Sequence, residues 1–143
     1  MKRYVYLFLL VVALALFAGC TSTGTTEDTS DDSTVETGIE TVVISSGGYL
    51  TDSEGMTLYI FTKDANGESA CSGACLNNWP VYYSVDTKPG SGLDSSDFGV
   101  ITRGDEEKQT IYKGQPLYYF AKDTVPGDTK GDGVNDVWFV VEP

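Results

Sequence analysis

One heptapeptide occurs twice in this chain. Leu58-Tyr59-Ile60-Phe61-Thr62-Lys63-Asp64 returns as Leu117-Tyr118-Tyr119-Phe120-Ala121-Lys122-Asp123, and Trp79 follows Asp64 at the same spacing as Trp138 follows Asp123. Upstream, Tyr49-Leu50 and Ile111-Tyr112 each open a hairpin into the motif, through Asp52-Ser53-Glu54-Gly55 and Lys113-Gly114-Gln115-Pro116. A duplication of this kind confines the fold. Each copy is too small to bury a core alone, so the two must pack on each other about a pseudo-twofold axis.

The runs between these landmarks are short, apolar and separated by Gly, Pro, Asn and Asp, and none holds a helical period for three turns. Candidate strands are Val42–Ser45, Tyr49–Thr51, Leu58–Thr62, Trp79–Ser84, Gly99–Thr102, Gln109–Tyr112, Leu117–Ala121 and Val137–Val141. The expected fold is all-β, two pseudo-symmetric four-stranded repeats (residues 41–86 and 98–143) packed as a small sandwich or barrel. Alternate strand residues share a face. Tyr59, Phe61 and Lys63 therefore oppose Leu58, Ile60, Thr62 and Asp64, and Tyr118, Phe120 and Lys122 oppose Leu117, Tyr119, Ala121 and Asp123. Both faces are apolar at their centres, as in a strand buried on both sides whose Asp starts the following turn. The competing reading makes the paired Tyr, Lys and Asp the lining of a ligand groove.

Composition removes most catalytic chemistry. The chain has no His, which excludes Ser-His-Asp and Cys-His catalysis, His-ligated haem and the usual His-containing zinc and copper sites. A carboxylate hydrolase built on Asp64 and Asp123 stays open, although duplicated residues in equivalent environments need not acquire the different pKa values that acid and base demand. Cys71 and Cys75 are separated by three residues where redox enzymes favour two, and no His lowers a thiol pKa there. A structural disulfide closing a tight loop fits better and contributes about 2 kcal/mol on the chain-entropy estimate. The Asp128, Asp132 and Asp136 run, with Gly at its bends, suggests a weak calcium site. Against the EF-hand pattern it has Lys130 at the third position and Phe139 at the twelfth, so an acidic turn competes with it. Beyond calcium at that run, no cofactor is expected.

With these motifs in view, the chain resembles the secreted-repeat lipoproteins named for a tandem Tyr-x-(Phe/Trp/Tyr)-x-x-Asp motif. Tyr59, Phe61 and Asp64 fill that motif once, and Tyr118, Phe120 and Asp123 fill it again. Cys71-Ser-Gly-Ala-Cys75, Trp79-Pro80, Phe98-Gly99-Val100-Ile101 and Pro126-Gly127-Asp128 look like the family too, and Val81 stands where many relatives have a second Pro. The resemblance covers nearly all of residues 48–143. It implies location and architecture and carries no active site.

The N-terminus agrees with export. Met-Lys-Arg precedes an apolar run from Tyr4 to Ala18, short for a bilayer core of roughly 30 Å and suited to a secretory signal. Ala18-Gly19 before Cys20 resembles a lipobox, where a prokaryotic signal peptidase cuts and the Cys is lipidated, although Phe17 replaces the usual Leu. An uncleaved anchor is the alternative. Assigning Cys20 to lipid leaves Cys71 and Cys75 as an even pair in an oxidising compartment. Residues 20–40 are Ser/Thr-rich and acidic with no Lys or Arg, a tether unable to bury enough surface to fold. The formal net charge of −12 repels nucleic acid and anionic lipid. The expected partners are therefore the membrane through the N-terminal lipid and an envelope protein or small ligand, with no nucleic acid. The function expected is a noncatalytic binding or structural role on the outward side of a prokaryotic membrane. The alternatives are an accessory of extracytoplasmic redox or metal handling, or the carboxylate hydrolase.

Overall fold

The computed structural model describes residues 39–143 apart from Asn66. The signal peptide, Cys20 and nearly all of the tether lie outside the described residues. The strands are β1 (Ile39–Ile44), β2 (Leu50–Thr51), β3 (Tyr59–Phe61), β4 (Asp86–Pro89), β5 (Phe98–Thr102), β6 (Lys108–Tyr112), β7 (Gln115–Pro116) and β8 (Trp138–Val140). They form the sheets β2-β1-β4, β3-β8 and β5-β6-β7, and the only helical segments among the described residues are short 3-10 turns. The fold is all-β, as expected, and is no closed barrel.

The twofold axis passes between the two motif tyrosines. Tyr59 N–H donates to Tyr118 O at 2.9 Å and Tyr118 N–H donates to Tyr59 O at 3.0 Å. On the outer sides, Tyr59 pairs with Val140 in the β3-β8 ladder and Tyr118 bridges to Val81. Farther along, Thr62 N–H to Val137 O at 2.8 Å is matched by Ala121 N–H to Asn78 O at 2.9 Å. The two outer pairings differ at one residue. Tyr119 N–H donates to Pro80 O at 2.8 Å, but Pro80 has no N–H to return. The expected strands Trp79–Ser84 and Leu117–Ala121 are thereby reduced to isolated bridges.

The repeats also exchange their last strands. Leu50 N–H donates to Val141 O (2.8 Å), Val141 N–H to Leu58 O (3.1 Å) and Leu58 N–H to Leu50 O (3.0 Å), a closed ring of three backbone bonds. Its counterpart runs from Thr110 to Tyr82 O (3.0 Å), from Tyr82 to Leu117 O (2.9 Å) and from Leu117 to Thr110 O (3.0 Å). Val141 thus completes the first repeat and Tyr82 completes the second. The rings also correct the alignment of the hairpins: Leu50 corresponds to Thr110. Three residues (Ser53-Glu54-Gly55) separate Asp52 from Met56, whereas Lys113-Gly114 suffice between the paired Tyr112 and Gln115. Lys113 (φ 46°) and Gly114 (φ 79°) are both left-handed, the geometry a two-residue hairpin turn requires.

β4 was not expected. Asp86-Thr87-Lys88-Pro89 has no apolar alternation, yet it runs parallel to β1 with Ile39 opposite Asp86 and Val42 opposite Pro89. This pairing draws Ile39 and Glu40, assigned from composition to the tether, into the folded domain.

The alternation of the motif strand sorts the interior into two clusters. Leu58 and Leu117 pack with Val42, Leu50, Tyr82 and Val141. Tyr59, Phe61, Tyr118 and Phe120 pack with Trp79, Trp138 and the disulfide. Close approach in the second cluster makes one glycine obligatory. A Cβ on Gly131 lies 2.8 Å from the Tyr59 ring and 2.9 Å from the Trp79 ring. Gly131→Ala is expected to lower stability by about 1–3 kcal/mol through overpacking; a thermal melt matching the native protein contradicts this.

Candidate functional site

The motif residues converge at the centre of the domain, in pairs drawn from opposite repeats. Tyr59 Oη donates to Asp123 Oδ2 at 2.5 Å, and Tyr118 Oη donates to Asp64 Oδ2 at 2.8 Å. The second oxygen of each carboxylate accepts a backbone N–H from the loop beyond it, Ala70 to Asp64 Oδ1 at 2.7 Å and Lys130 to Asp123 Oδ1 at 3.0 Å. Simple alternation puts Asp64 opposite Tyr59. The turn closed by Asp64 N–H on Phe61 O instead returns it to the tyrosine face, and Asp123 N–H on Phe120 O does the same.

The aromatic rings are exchanged in the same manner. Phe61 stacks on Trp138 at 4.2 Å, Trp138 on Trp79 at 3.8 Å with planes 3° apart, and Trp79 on Phe120 at 4.3 Å. Each Phe thus lies against the Trp of the other repeat. Tyr59 meets Trp79 edge-on at 5.5 Å and Tyr118 meets Trp138 edge-on at 5.1 Å, the orientation aromatic quadrupoles favour. Lys63 and Lys122 remain exposed. The structure therefore brings Tyr and Asp together without Lys, and buries them.

One end of this centre is built differently from the other. Arg103, the only arginine beyond the N-terminal segment, is buried beside the Tyr118–Asp64 pair. Its Nη1 donates to Ser69 Oγ (2.5 Å) and Gln109 Oε1 (2.7 Å), its Nη2 to Cys71 O (2.8 Å), and its Nε to Asp105 Oδ1 (3.1 Å). Ser69 Oγ in turn lies 2.5 Å from Tyr118 Oη. A buried guanidinium needs this saturation. Cys71 and Cys75 form the expected disulfide with Cα atoms 5.5 Å apart. At the other end no arginine among the described residues stands near Tyr59; Gly131 N–H donates to Tyr59 Oη at 3.3 Å. Sequence reasoning missed Arg103, and its singularity in the folded part was the available signal.

Burial pushes the Asp64 carboxyl above its ordinary range, opposed by the Ala70 N–H, the Tyr118 hydroxyl and the Arg103 charge. Burial likewise pushes the Tyr118 phenol up to about 12 and moves Tyr59 further in the same direction, with the Asp123 hydrogen bond adding to it. A phenol whose folded pKa is raised contributes stability that is intact below the unfolded value and lost as pH rises through the folded one. The domain is therefore expected to lose at most about 3 kcal/mol through Tyr118 alone between about pH 10 and 12. Melting temperature against pH checks this. In Tyr118→Phe the alkaline fall should be shallower, and an equally steep fall there contradicts it.

The acidic run does not assemble into a cation site. Asp128 Oδ2 accepts Lys130 Nζ (2.6 Å) and Thr124 N–H (2.8 Å), and the ammonium, then the amide, hold its carboxyl down at about 2. Asp132 Oδ1 accepts Val140 N–H at 3.1 Å, and Asp136 is exposed. Among the described residues no three His, Cys, Asp or Glu side chains gather as a metal site requires. Of the three carboxylates in the expected calcium run, Asp128 is engaged by Lys130 and a backbone amide and Asp132 by a backbone amide, the bonding of an acidic turn. Asp64 and Asp123, each bound to a Tyr and an amide, likewise lack the open flanking arrangement of a hydrolytic pair.

Among the described residues no helix is long and apolar enough to cross a membrane. No curated protein and no solved structure matches the chain. The sequence model of a family described as a secreted repeat of unknown function matches residues 40–83 and again residues 99–142. These two matches coincide with the two halves that exchange strands, tyrosines and phenylalanines about the axis. They cover more than half of the chain, which therefore belongs to that family of secreted repeats, as an extracellular or envelope protein.

Proposed function

We propose that this protein is a noncatalytic lipoprotein, anchored through Cys20 and displaying a rigid domain with a binding or structural role outside the membrane. The observation that carries the reading is the commitment of the motif itself. Tyr59, Tyr118, Asp64 and Asp123 are buried against one another across the two repeats, so the repeated residues serve cohesion and leave no open acid–base pair. The short apolar N-terminal run, the Ala18-Gly19-Cys20 junction and the acidic Ser/Thr segment supply what surface display needs. The domain's single disulfide suits the oxidising side.

Envelope fractionation with crosslinking in intact cells tests this. The native protein is expected in the membrane fraction, crosslinked to an envelope component. Cys20→Ser should release it unlipidated and lose that crosslink, while its near-ultraviolet circular dichroism stays native. Retention of Cys20→Ser on the membrane at unchanged size overturns the anchor, and a native protein that crosslinks to nothing overturns the binding role.

A further inference from the structure

The central rings are ordered as well as packed. Tyr118, Trp138, Trp79 and Tyr59 touch in sequence, at centroid separations of 5.1, 3.8 and 5.5 Å. Phenol and indole are the side chains that most readily surrender one electron, and van der Waals contact between them provides electronic coupling. An oxidised phenol is a strong acid, so its oxidation needs a proton acceptor already in place. Both terminal phenols have one: Asp64 Oδ2 accepts Tyr118 at 2.8 Å and Asp123 Oδ2 accepts Tyr59 at 2.5 Å, within reach for proton transfer.

We propose that these four rings form a buried one-electron relay running from Tyr118 to Tyr59, fed by an outer-sphere one-electron oxidant at the Tyr118 end. This goes beyond the anchored binding role and stands whether or not Cys20 carries lipid. In the entry step Tyr118 gives one electron to the oxidant and its phenolic proton moves to Asp64, leaving a neutral phenoxyl, a protonated carboxyl and the reduced oxidant. Trp138 then supplies an electron to Tyr118, which recovers its proton from Asp64, and Trp79 supplies one to Trp138. Tyr59 finally reduces the Trp79 radical cation and passes its proton to Asp123. The net change is one electron lost by Tyr59, one proton gained by Asp123 and one oxidant reduced. No covalent bond between heavy atoms forms or breaks.

The asymmetry of the two ends sets the direction. A cleft of about 410 Å³ lined by Glu68, Ser69, Ile101 and Arg103 reaches Ser69, whose hydroxyl touches Tyr118 Oη. The Tyr59 end is closed by Gly131, with no room for a Cβ. Tyr59 also holds the shorter bond to its carboxylate, 2.5 Å to Asp123 Oδ2 against 2.8 Å from Tyr118 to Asp64 Oδ2, and the shorter, stronger bond favours the coupled proton step there. The hole therefore comes to rest on Tyr59.

Flash-generated tris(bipyridine)ruthenium(III) serves as the oxidant, with transient absorbance and electron paramagnetic resonance as readouts. The native protein should show an indole radical that decays into a persistent tyrosyl signal. Trp79→Phe and Trp138→Phe, which keep a stacked ring, should each lose the transfer to Tyr59, and Tyr59→Phe should lose the persistent signal. Persistence of that signal in folded Tyr59→Phe, or unchanged transfer in both tryptophan variants, overturns the relay. Should the variants not fold, the native protein equilibrated in heavy water decides. A slowed tyrosyl formation supports the coupled proton step, and an unchanged rate overturns it.

Discussion

Neither repeat is expected to fold alone. A fragment of residues 39–92 contains β1 to β4 and one complete motif, but it lacks the Val141 amide and carbonyl that close its three-bond ring with Leu50 and Leu58. It also lacks Asp123 for Tyr59 and the Trp138 face on which Phe61 stacks. Residues 93–143 have the reciprocal deficit at Tyr82, Asp64 and Trp79. Orphaned buried hydrogen-bonding groups cost about 1–3 kcal/mol each, and a fragment of roughly 50 residues has little stability to lose. Each fragment should show no near-ultraviolet circular dichroism and no cooperative melt. An equimolar mixture should recover both signals, because the cut between Gly92 and Leu93 severs none of the exchanged pairs. Cooperative melting of either fragment by itself refutes the interlocked description.

How much of this was legible beforehand follows from the range of each interaction. The alternation that divides Leu58 from Tyr59 is a property of consecutive residues, and the two faces do enter separate clusters. Cys71 and Cys75 are close in sequence and bonded in space. The duplication revealed a twofold relation but not which copy's last strand lies beside which hairpin, since repeats that keep or exchange that strand have the same sequence signature. For the same reason Tyr59 could be seen to need a partner, while the identity of that partner as Asp123 required the fold. β4 was hidden because its strand conformation comes from parallel pairing with β1 and not from a buried face of its own. Arg103 was hidden because an isolated arginine next to Asp105, Glu106 and Glu107 has the signature of a solvated turn. Its five N–H groups are instead used by Ser69, Gln109, Cys71 and Asp105. Spacing likewise counts the carboxylates of the Asp128–Asp136 run without counting the amides and the ammonium that engage Asp128 and Asp132.

Trp138→Ala is the substitution expected to cost most among single side chains. The indole is buried and lies between the Trp79 and Phe61 rings, at 3.8 and 4.2 Å, with the Tyr118 edge at 5.1 Å. Truncation removes three ring contacts at once, on both sides of the twofold axis, and leaves a cavity whose walls are held by the Tyr–Asp bonds and cannot collapse freely. The expected loss is about 3–5 kcal/mol, against a typical total of roughly 5–15 kcal/mol for a domain. Phe120→Ala should approach that range because Phe120 is buried against Trp79, whereas Phe61→Ala should cost less because Phe61 is only half-buried. Denaturant titration of the domain decides the order. The sequence motif makes Phe61 and Phe120 equivalent, so equal losses at the two would mean that the motif sets stability independently of burial. A Trp138→Ala domain as stable as the native one would mean that the stacked rings do not hold the repeats together.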